Sequence, residues 1–495
     1  MSTPPASDTA LRPPMEAGAA RLIVVVLAFS SILVSLMQTI LVPLLGQLPH
    51  LFDTSASNAS WAVTSTLLVA AIATPISGRL GDMYGKRRVL LLCLVLLTVG
   101  SIVVACTSQV GLVVLGRSLQ GAASSILPLS IAILRDELPS ERVPGAVALI
   151  SASLGIGSSL GLPVAALVAQ HYNWHLIFVG TAVLGAFAFV AVFFVVPESE
   201  IRRPGRFDVL GAIGLSTGLL FLLLVVSKGN SWGWTSPLVI GLAVAGVAVL
   251  LVWVRYETTL QQPLVDIRVS SAPPVLFTNA ASVLAGFALL VTGLVIPQLL
   301  QAPKSTGYGL GLSMVGAGLC LAPSGLVQIL FSPVSGRIVR RFGGKVTLIL
   351  GLSTLTLGFA VALLTMSKVW HLVMVSIING VGVGLSFASM PVLIMGAVPV
   401  SESAAANGLN TLSRAVGASV SSAVVGVLLA SLTMEVGGVA FPTRGAFRLA
   451  LVIGAVSALI GVALATFIPR PPPVAEALSL ARTSSDEPAR VVTAD

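Results

Sequence analysis

Charge is what this sequence has least of. Only 9% of its 495 residues are Asp, Glu, Lys or Arg, against roughly a quarter in soluble domains. With 56% hydrophobic residues and a mean hydropathy of +1.01, a water-soluble fold is excluded. Cysteine is almost missing too. Cys93, Cys106 and Cys320 fall singly inside apolar runs with no CxxC pair, so they read as small buried hydrophobes and not as a disulfide or metal set. His171 and His175 have a metal-compatible i,i+4 spacing, but no third ligand accompanies them, and neither a metal nor any other cofactor is expected. Gly81-x-x-x-Gly85-Lys86 lacks the spacing and the Ser/Thr of a P-loop, so nothing suggests ATP. The most informative absence concerns acids: all 18 Asp and Glu residues lie in tails, loops or the ends of apolar runs. A polytopic membrane enzyme would want His, Asp or Glu gathered at one membrane depth, and no such group is found. No enzyme activity is expected.

What fills the chain is a series of apolar runs. A spanning helix needs about 20 mostly apolar residues, and that length picks out fourteen: 22–46, 58–79, 88–107, 110–134, 144–169, 174–197, 208–227, 236–255, 275–301, 311–336, 345–367, 370–398, 404–432 and 447–469. The run from Leu22 to Leu45 is too long for a signal-peptide core, so it is expected to remain as span 1. The fold class is therefore all-α and polytopic. The net charge of +9 does not point to nucleic acid, whose binders cluster Lys and Arg on one face. Here the basic residues sit in short loops. With both termini inside, inner loops and tails hold twenty of the 27 Lys and Arg and outer loops five, which orients the protein with its termini in the cytoplasm.

The chain also repeats itself. Pro75-x-Ser77-Gly78-Arg79, between spans 2 and 3, recurs as Pro333-x-Ser335-Gly336-Arg337, 258 positions on. Pro43-Leu-Leu-Gly-Gln47 answers Pro297-Gln-Leu-Leu-Gln301, Gln120-Gly121 answers Asn379-Gly380, and Pro139-x-Glu141 answers Pro399-x-x-Glu402. Spans 1–6 thus match spans 9–14, and spans 7 and 8 form an inserted pair. Because the insertion is even, the halves keep one orientation, as parallel repeats about an axis along the membrane normal. The expected organisation is a disordered tail (1–20), a six-helix bundle (21–200), a linker with the inserted pair (201–273), a second six-helix bundle (274–470) and a disordered tail (471–495). The stretch Pro75 to Arg88 is expected to be a short polar turn.

These motifs are similar to those of the major facilitator superfamily, specifically its fourteen-helix drug:proton antiporters, over essentially the whole chain. The family's first-loop motif is matched by Gly78, Leu80, Asp82, Gly85, Lys86, Arg87 and Arg88, and its helix-4 motif by Arg117, Gln120 and Gly121. The linker Gly205 to Gly211 and Trp232-Gly-Trp234 resemble the flanks of the inserted pair. The resemblance implies a lock on the inner face made by Gly78, Arg79, Asp82, Gly85 and Arg87, with Asp82 facing the N-terminus of a second-half helix, where the dipole favours an anion. Arg340 stands where the second copy would need its acid, so the lock is expected on one side only.

Two arginines, Arg117 and Arg414, fall well inside spans. A charge there costs at least about 2.5–3.5 kcal/mol and normally faces a cavity or a partner. With Asp82 they are the candidates for transport and proton coupling, and Arg117 is expected to face the cavity. Gln38, Gln120, Gln298, Gln328 and Asn379 are candidate cavity-lining amides. Gly157, Gly161 and Pro163 in span 5 form a packing or rocking surface. Many relatives carry an acid in helix 1; here the comparable place is Gln38-Thr39. The expected function is proton-driven export of neutral or anionic amphipathic compounds such as drugs, antibiotics or secondary metabolites, by a monomer in a bacterial cytoplasmic membrane. An exporter of lipid or siderophore, or an uncoupled facilitator, is the alternative.

Overall fold

A computed structural model describes residues 17–41, 44, 48–199, 201–202 and 205–469. Thirteen helices in them are long and apolar enough to cross a membrane. One of these, Met314–Thr365, has 52 residues and a non-helical Gly343 (φ 82°, ψ 164°) inside it. At 1.5 Å per residue a straight helix of that length would reach about 78 Å, more than twice the hydrocarbon core. Counted as two, it brings the total to the expected fourteen.

We number the spanning helices α1 (Ala17–Thr39), α2 (Trp61–Tyr84), α3 (Lys86–Ala105), α4 (Val110–Glu137), α5 (Val143–His171), α6 (His175–Val195), α7 (Val209–Trp232), α8 (Pro237–Glu257), α9 (Pro273–Gln301), α10 (314–342), α11 (344–365), α12 (Val369–Ala397), α13 (Ser403–Ser431) and α14 (Arg444–Thr466). A 3-10 turn, Ala123–Ser125, interrupts α4. A hairpin, Thr433–Val436 paired with Val439–Pro442, joins α13 to α14. Helix α1 begins at Ala17, four residues inside the expected N-terminal tail; the rest of both expected tails, and Pro43 and Gln47, lie outside the described residues. Large exposed side chains such as Leu364 and Phe194 give the spans an apolar outer surface suited to lipid.

The expected polar turn is shorter than the sequence suggests. α2 stays helical through Gly78, Arg79 and Asp82, and α3 starts at Lys86, so Gly85 (φ 115°) makes the corner by itself. Gly343 does the same between α10 and α11. Both have backbone angles that an L side chain rarely adopts.

The duplication holds at the level of contacts. α1 packs on α5 as α9 packs on α13, and α3 packs on α6 as α11 packs on α14. A Cβ on Gly121 of α4 would lie 2.5 Å from the Thr66 carbonyl of α2, and one on Gly380 of α12 would lie 2.6 Å from the Ser324 carbonyl of α10. The two six-helix halves meet along two seams, α2 against α13 and α5 against α10. The inserted α7 and α8 pack on each other, and α7 also lies against α2 and α13. Leu68 and Ala71 of α2, Leu215, Leu219 and Leu223 of α7, Trp253 of α8 and Leu412 of α13 share one buried apolar cluster.

Candidate transport site and inner seam

At the end of α2, Asp82 is completely buried. Its Oδ1 accepts a hydrogen bond from the Ala404 N–H at 3.2 Å and its Oδ2 one from the Ala405 N–H at 2.8 Å. These two amides belong to the first turn of α13, where N–H groups have no intrahelical acceptor. The partial positive charge of the helix end favours a carboxylate there. The approach depends on Gly78, one turn earlier, where a Cβ would lie 2.6 Å from the Ala404 carbonyl. Arg79 is buried beside it.

Lys86, the first residue of α3, is also fully buried. Its Nζ lies 3.8 Å from Asp82 Oδ1 and 2.6 Å from Asp136 Oδ2 of α4, and Ser199 Oγ donates to the same Asp136 oxygen at 2.5 Å. One ammonium thus neutralises two carboxylates, which makes their burial affordable only as a set. Arg135 of α4 reaches across to the Val398 carbonyl at 3.1 Å. The sequence marks Asp136, Arg135 and Ser199 only weakly, by a charged pair closing an apolar span. The corner residue Gly85 has the Glu198 carboxylate against it. The Arg87 N–H donates to that carboxylate at 3.3 Å, and the Arg87 guanidinium donates to the Phe193 carbonyl at the end of α6. In the second half, Lys345 takes that role, donating to the Thr466 carbonyl at the end of α14 at 2.6 Å.

The other seam has the same backbone and none of this charge. A Cβ on Gly336 of α10 would lie 2.8 Å from Gly145 Cα, in the first turn of α5. Arg340 and Arg337 are exposed.

Arg117 lies 1% exposed in the first bundle. Its Nε donates to the Ala62 carbonyl of α2 at 3.1 Å, and its Nη1 to the Met37 carbonyl of α1 at 3.3 Å and to Gln120 Oε1 at 2.7 Å. Met37 is within the last four residues of α1, whose carbonyls lack intrahelical donors. Arg117 therefore avoids lipid, as its cost demands, but it braces α1, α2 and α4 instead of opening onto a cavity. Gln120 is buried as well and passes its Nε2 to Ser101 of α3 at 2.8 Å. Arg414 is held differently. Its Nη1 and Nη2 donate to Asn410 Oδ1 at 2.6 Å and Thr411 Oγ1 at 3.0 Å, both on its own helix, and its guanidinium lies 5.0 Å from the Phe387 ring centroid of α12. Asn410 in turn donates to Asn279 and Ser282 of α9. Ten residues separate Arg414 from Ala404, about 15 Å along the helix, so Arg414 takes no part in the Asp82 contact.

The amides divide. Gln38 is exposed and donates to Ser124 Oγ of α4 at 3.2 Å, and Gln298 is exposed on α9. Asn379 is buried and donates to Thr292 of α9 at 3.2 Å, which makes it a tie within the second half. Gln328 is buried on α10 against Gly155 of α5, and its Oε1 has no hydrogen-bond partner among the described residues. In α5, Gly157 and Gly161 face α1, where Cβ atoms would meet the Ile32 carbonyl and Thr39 Oγ1. Pro163 faces the other way, onto Gly318 of α10. Gly157 and Gly161 thus pack inside the first half, while Gly155 and Pro163 border the seam.

Among curated relatives, the tetracenomycin C resistance and export protein of Streptomyces glaucescens is 27% identical over 406 residues, covering 79% of this chain and 72% of the relative. Multidrug resistance protein Stp of Mycobacterium tuberculosis (strain CDC 1551 / Oshkosh) is 28% identical over 393 residues, covering 78% and 72%. Among solved structures, the proton:xylose symporter XylE, bound to 6-bromo-6-deoxy-D-glucose, aligns with a TM-score of 0.64 at 15% identity, covering 92% of this chain and 96% of that one. The human organic anion transporter MFSD10 (TETRAN) aligns at 0.62 and 16%, covering 92% and 100%. At such identities the likeness concerns the fold. Residues 27–301 and 278–492 match the family model described as Major Facilitator Superfamily. With its duplicated six-helix halves and that match over most of its length, the chain belongs to the major facilitator superfamily, and it is a membrane transporter, not an enzyme.

Proposed function

We propose that this chain exports neutral or anionic amphipathic compounds, such as drugs, antibiotics or secondary metabolites, in exchange for protons. It does so as a monomer, by alternating access, in a bacterial cytoplasmic membrane with both termini in the cytoplasm. Efflux is supported by the resistance and export proteins among its relatives. One observation carries the charge preference: the charged side chains deepest in the spans are Arg117 and Arg414, and every Asp and Glu is at a span end or outside. A cationic interior without a carboxylate disfavours permanent cations.

In this scheme Asp82, with Gly78, Arg79, Lys86 and Asp136, holds the inner seam shut, and cargo release outward is followed by its opening. The corner residues Gly85 and Arg87 fix α3 against α6. Arg414, stacked on Phe387, meets the cargo, because the Phe387 carbonyl also accepts from Ser151 of α5 at 2.8 Å, where the halves touch. Arg117 acts from within the first bundle. Gln38, Gln298 and Gln328 supply polar contacts to the cargo.

Purified protein in proteoliposomes tests this. A pH jump should drive uptake or release of a neutral or anionic amphiphile, and a permanent cation should move poorly. Transport indifferent to the proton gradient would make the protein an uncoupled facilitator, the second reading that the lack of a mid-membrane carboxylate favours.

A further inference from the structure

Two acids of the inserted pair come together where α7 begins and α8 ends. Asp208 is the N-cap of α7: its Oδ1 accepts from the Gly211 N–H at 2.9 Å and from the Tyr256 hydroxyl at 3.2 Å. Glu257, the last residue of α8, is 1% exposed, and its Oε2 accepts from the Val265 N–H at 3.4 Å. The other oxygen of each, Asp208 Oδ2 and Glu257 Oε1, is buried and has no hydrogen-bond partner among the described residues. These two oxygens converge on one spot, since a Cβ built on Gly211 would collide with both. Trp253, one turn before Glu257 on the same face of α8, is buried with its indole N–H directed at the Glu257 carboxylate.

Two ionised carboxylates this close, with Glu257 buried and Asp208 half-buried, strongly favour a cation or a proton between them. No cation is supplied by the apolar residues packed over them, which are Trp253, Leu264 and Val265 with Leu68 and Ala71 of α2 and Leu412 of α13. Among the described residues, the basic side chains nearby in sequence, Arg202, Arg206, Arg255 and Arg268, are exposed. On its other side Asp208 lines a cavity of about 480 Å³, together with Arg206, Gln261 and Gln262.

We propose that Asp208 and Glu257 are a proton-binding site of the transporter, an acid pair that shares one proton and fills from this cavity. It lies outside both six-helix halves. Its effect on the seam is mechanical: α7 packs against both α2 and α13, so the charge state of the pair bears on the helices that Asp82 joins. The proposal rests on the proton-driven reading above and supplies the acid that the spans lack at their centre.

The test uses the full chain in proteoliposomes and two readouts. Infrared difference spectra over a pH titration should show a protonated-carboxyl stretch that persists above the usual carboxylate range and disappears in Glu257→Gln. Asp208→Asn, which keeps the helix cap, should remove it too. Gradient-driven export should fall roughly tenfold in Glu257→Gln, the scale of an ordinary coupling between sites, while cargo exchange without a gradient persists. A wild type without the band, or a band unchanged in both variants, overturns the proposal. So does loss of the band on adding Na⁺, K⁺ or Mg²⁺ at fixed pH, which would make this a metal-cation site. If the band behaves as expected but wild-type export ignores the gradient, the pair stands and the antiport reading falls.

Discussion

The two halves of this transporter share a backbone and differ in what they hang on it. Gly78 on α2 and Gly336 on α10 each bring a helix against the first turn of its counterpart in the other half. Only the first is followed by a carboxylate, Asp82, that caps the partner helix; at the second, Arg340 is exposed. The intramembrane arginines diverge in the same way. Arg117 gives its donors to carbonyls of neighbouring helices and to Gln120, whereas Arg414 is anchored to its own helix and a ring face. A duplicated scaffold therefore need not yield a symmetric machine. One seam is fastened by charge and the other by close packing alone, so they need not open with equal ease.

The strongest way to break this comparison is to delete both arginines in turn. Arg117→Ala would leave the Ala62 and Met37 carbonyls and Gln120 without their donor in a dry bundle, a loss of about 3–5 kcal/mol. We expect lower abundance and a lower melting temperature in detergent. Arg414→Ala should leave abundance near wild type and instead weaken export of anionic cargo more than neutral cargo. Equal melting temperatures for the two variants would contradict the assignment of Arg117 as a brace.

Comparable in size is Asp82→Ala, which removes two charge-assisted hydrogen bonds worth about 1.5–3 kcal/mol each and leaves Lys86 with Asp136 alone. The inner seam should open, seen as faster labelling of a cysteine placed at Ala405 from the cytoplasmic side. Asp82→Asn, which keeps one acceptor but no charge, should fall between. Gly78→Val and Gly336→Val ask whether packing matters equally on both sides. Each forces a side chain into a backbone contact, at about 1–3 kcal/mol, and both should lower turnover, measured as initial export rate per molecule.

A smaller effect is expected from making the seams alike. Arg340→Asp puts an anion near the first turn of α5, worth about 0.3–1 kcal/mol at a helix N-terminus. It should slow inward opening severalfold at low ionic strength and lose that effect in high salt. The smallest change is Gln38→Glu at the exposed amide on α1, which should extend transport to cationic dyes with little effect on neutral cargo. An unchanged substrate profile would remove Gln38 from the cargo path.

The fourteen spans, the duplication and the inserted pair were legible in the residues because a membrane demands about 20 apolar residues per crossing whatever the details. The approach of Asp82 to the first turn of a second-half helix was legible too, because its motif survives in the first copy and is broken by Arg340 in the second. The corner is less legible: Pro75 to Arg88 holds so many polar residues that it looks like a loop, yet the helix continues to Tyr84 because Gly85 can turn the chain in one step. Arg117, expected to face a cavity, is instead buried against the Ala62 and Met37 carbonyls and Gln120. A guanidinium can meet its cost with carbonyls as well as with water, and only the packing of α1 and α2 around α4 decides between them. Gln120 and Asn379 became ties inside each half for the same reason.

By itself, then, the sequence determined how many times the chain crosses, that its halves are copies, and that its deep charges are cationic, since each follows from the cost of moving residues from water to lipid. Tertiary structure decided which partners those charges take. Lys86 meets Asp136 fifty positions away, Asp82 meets α13, and Asp208 faces Glu257 across an inserted hairpin. Such pairings depend on which helix ends arrive side by side, and the apolar periodicity of a span carries no record of its neighbours.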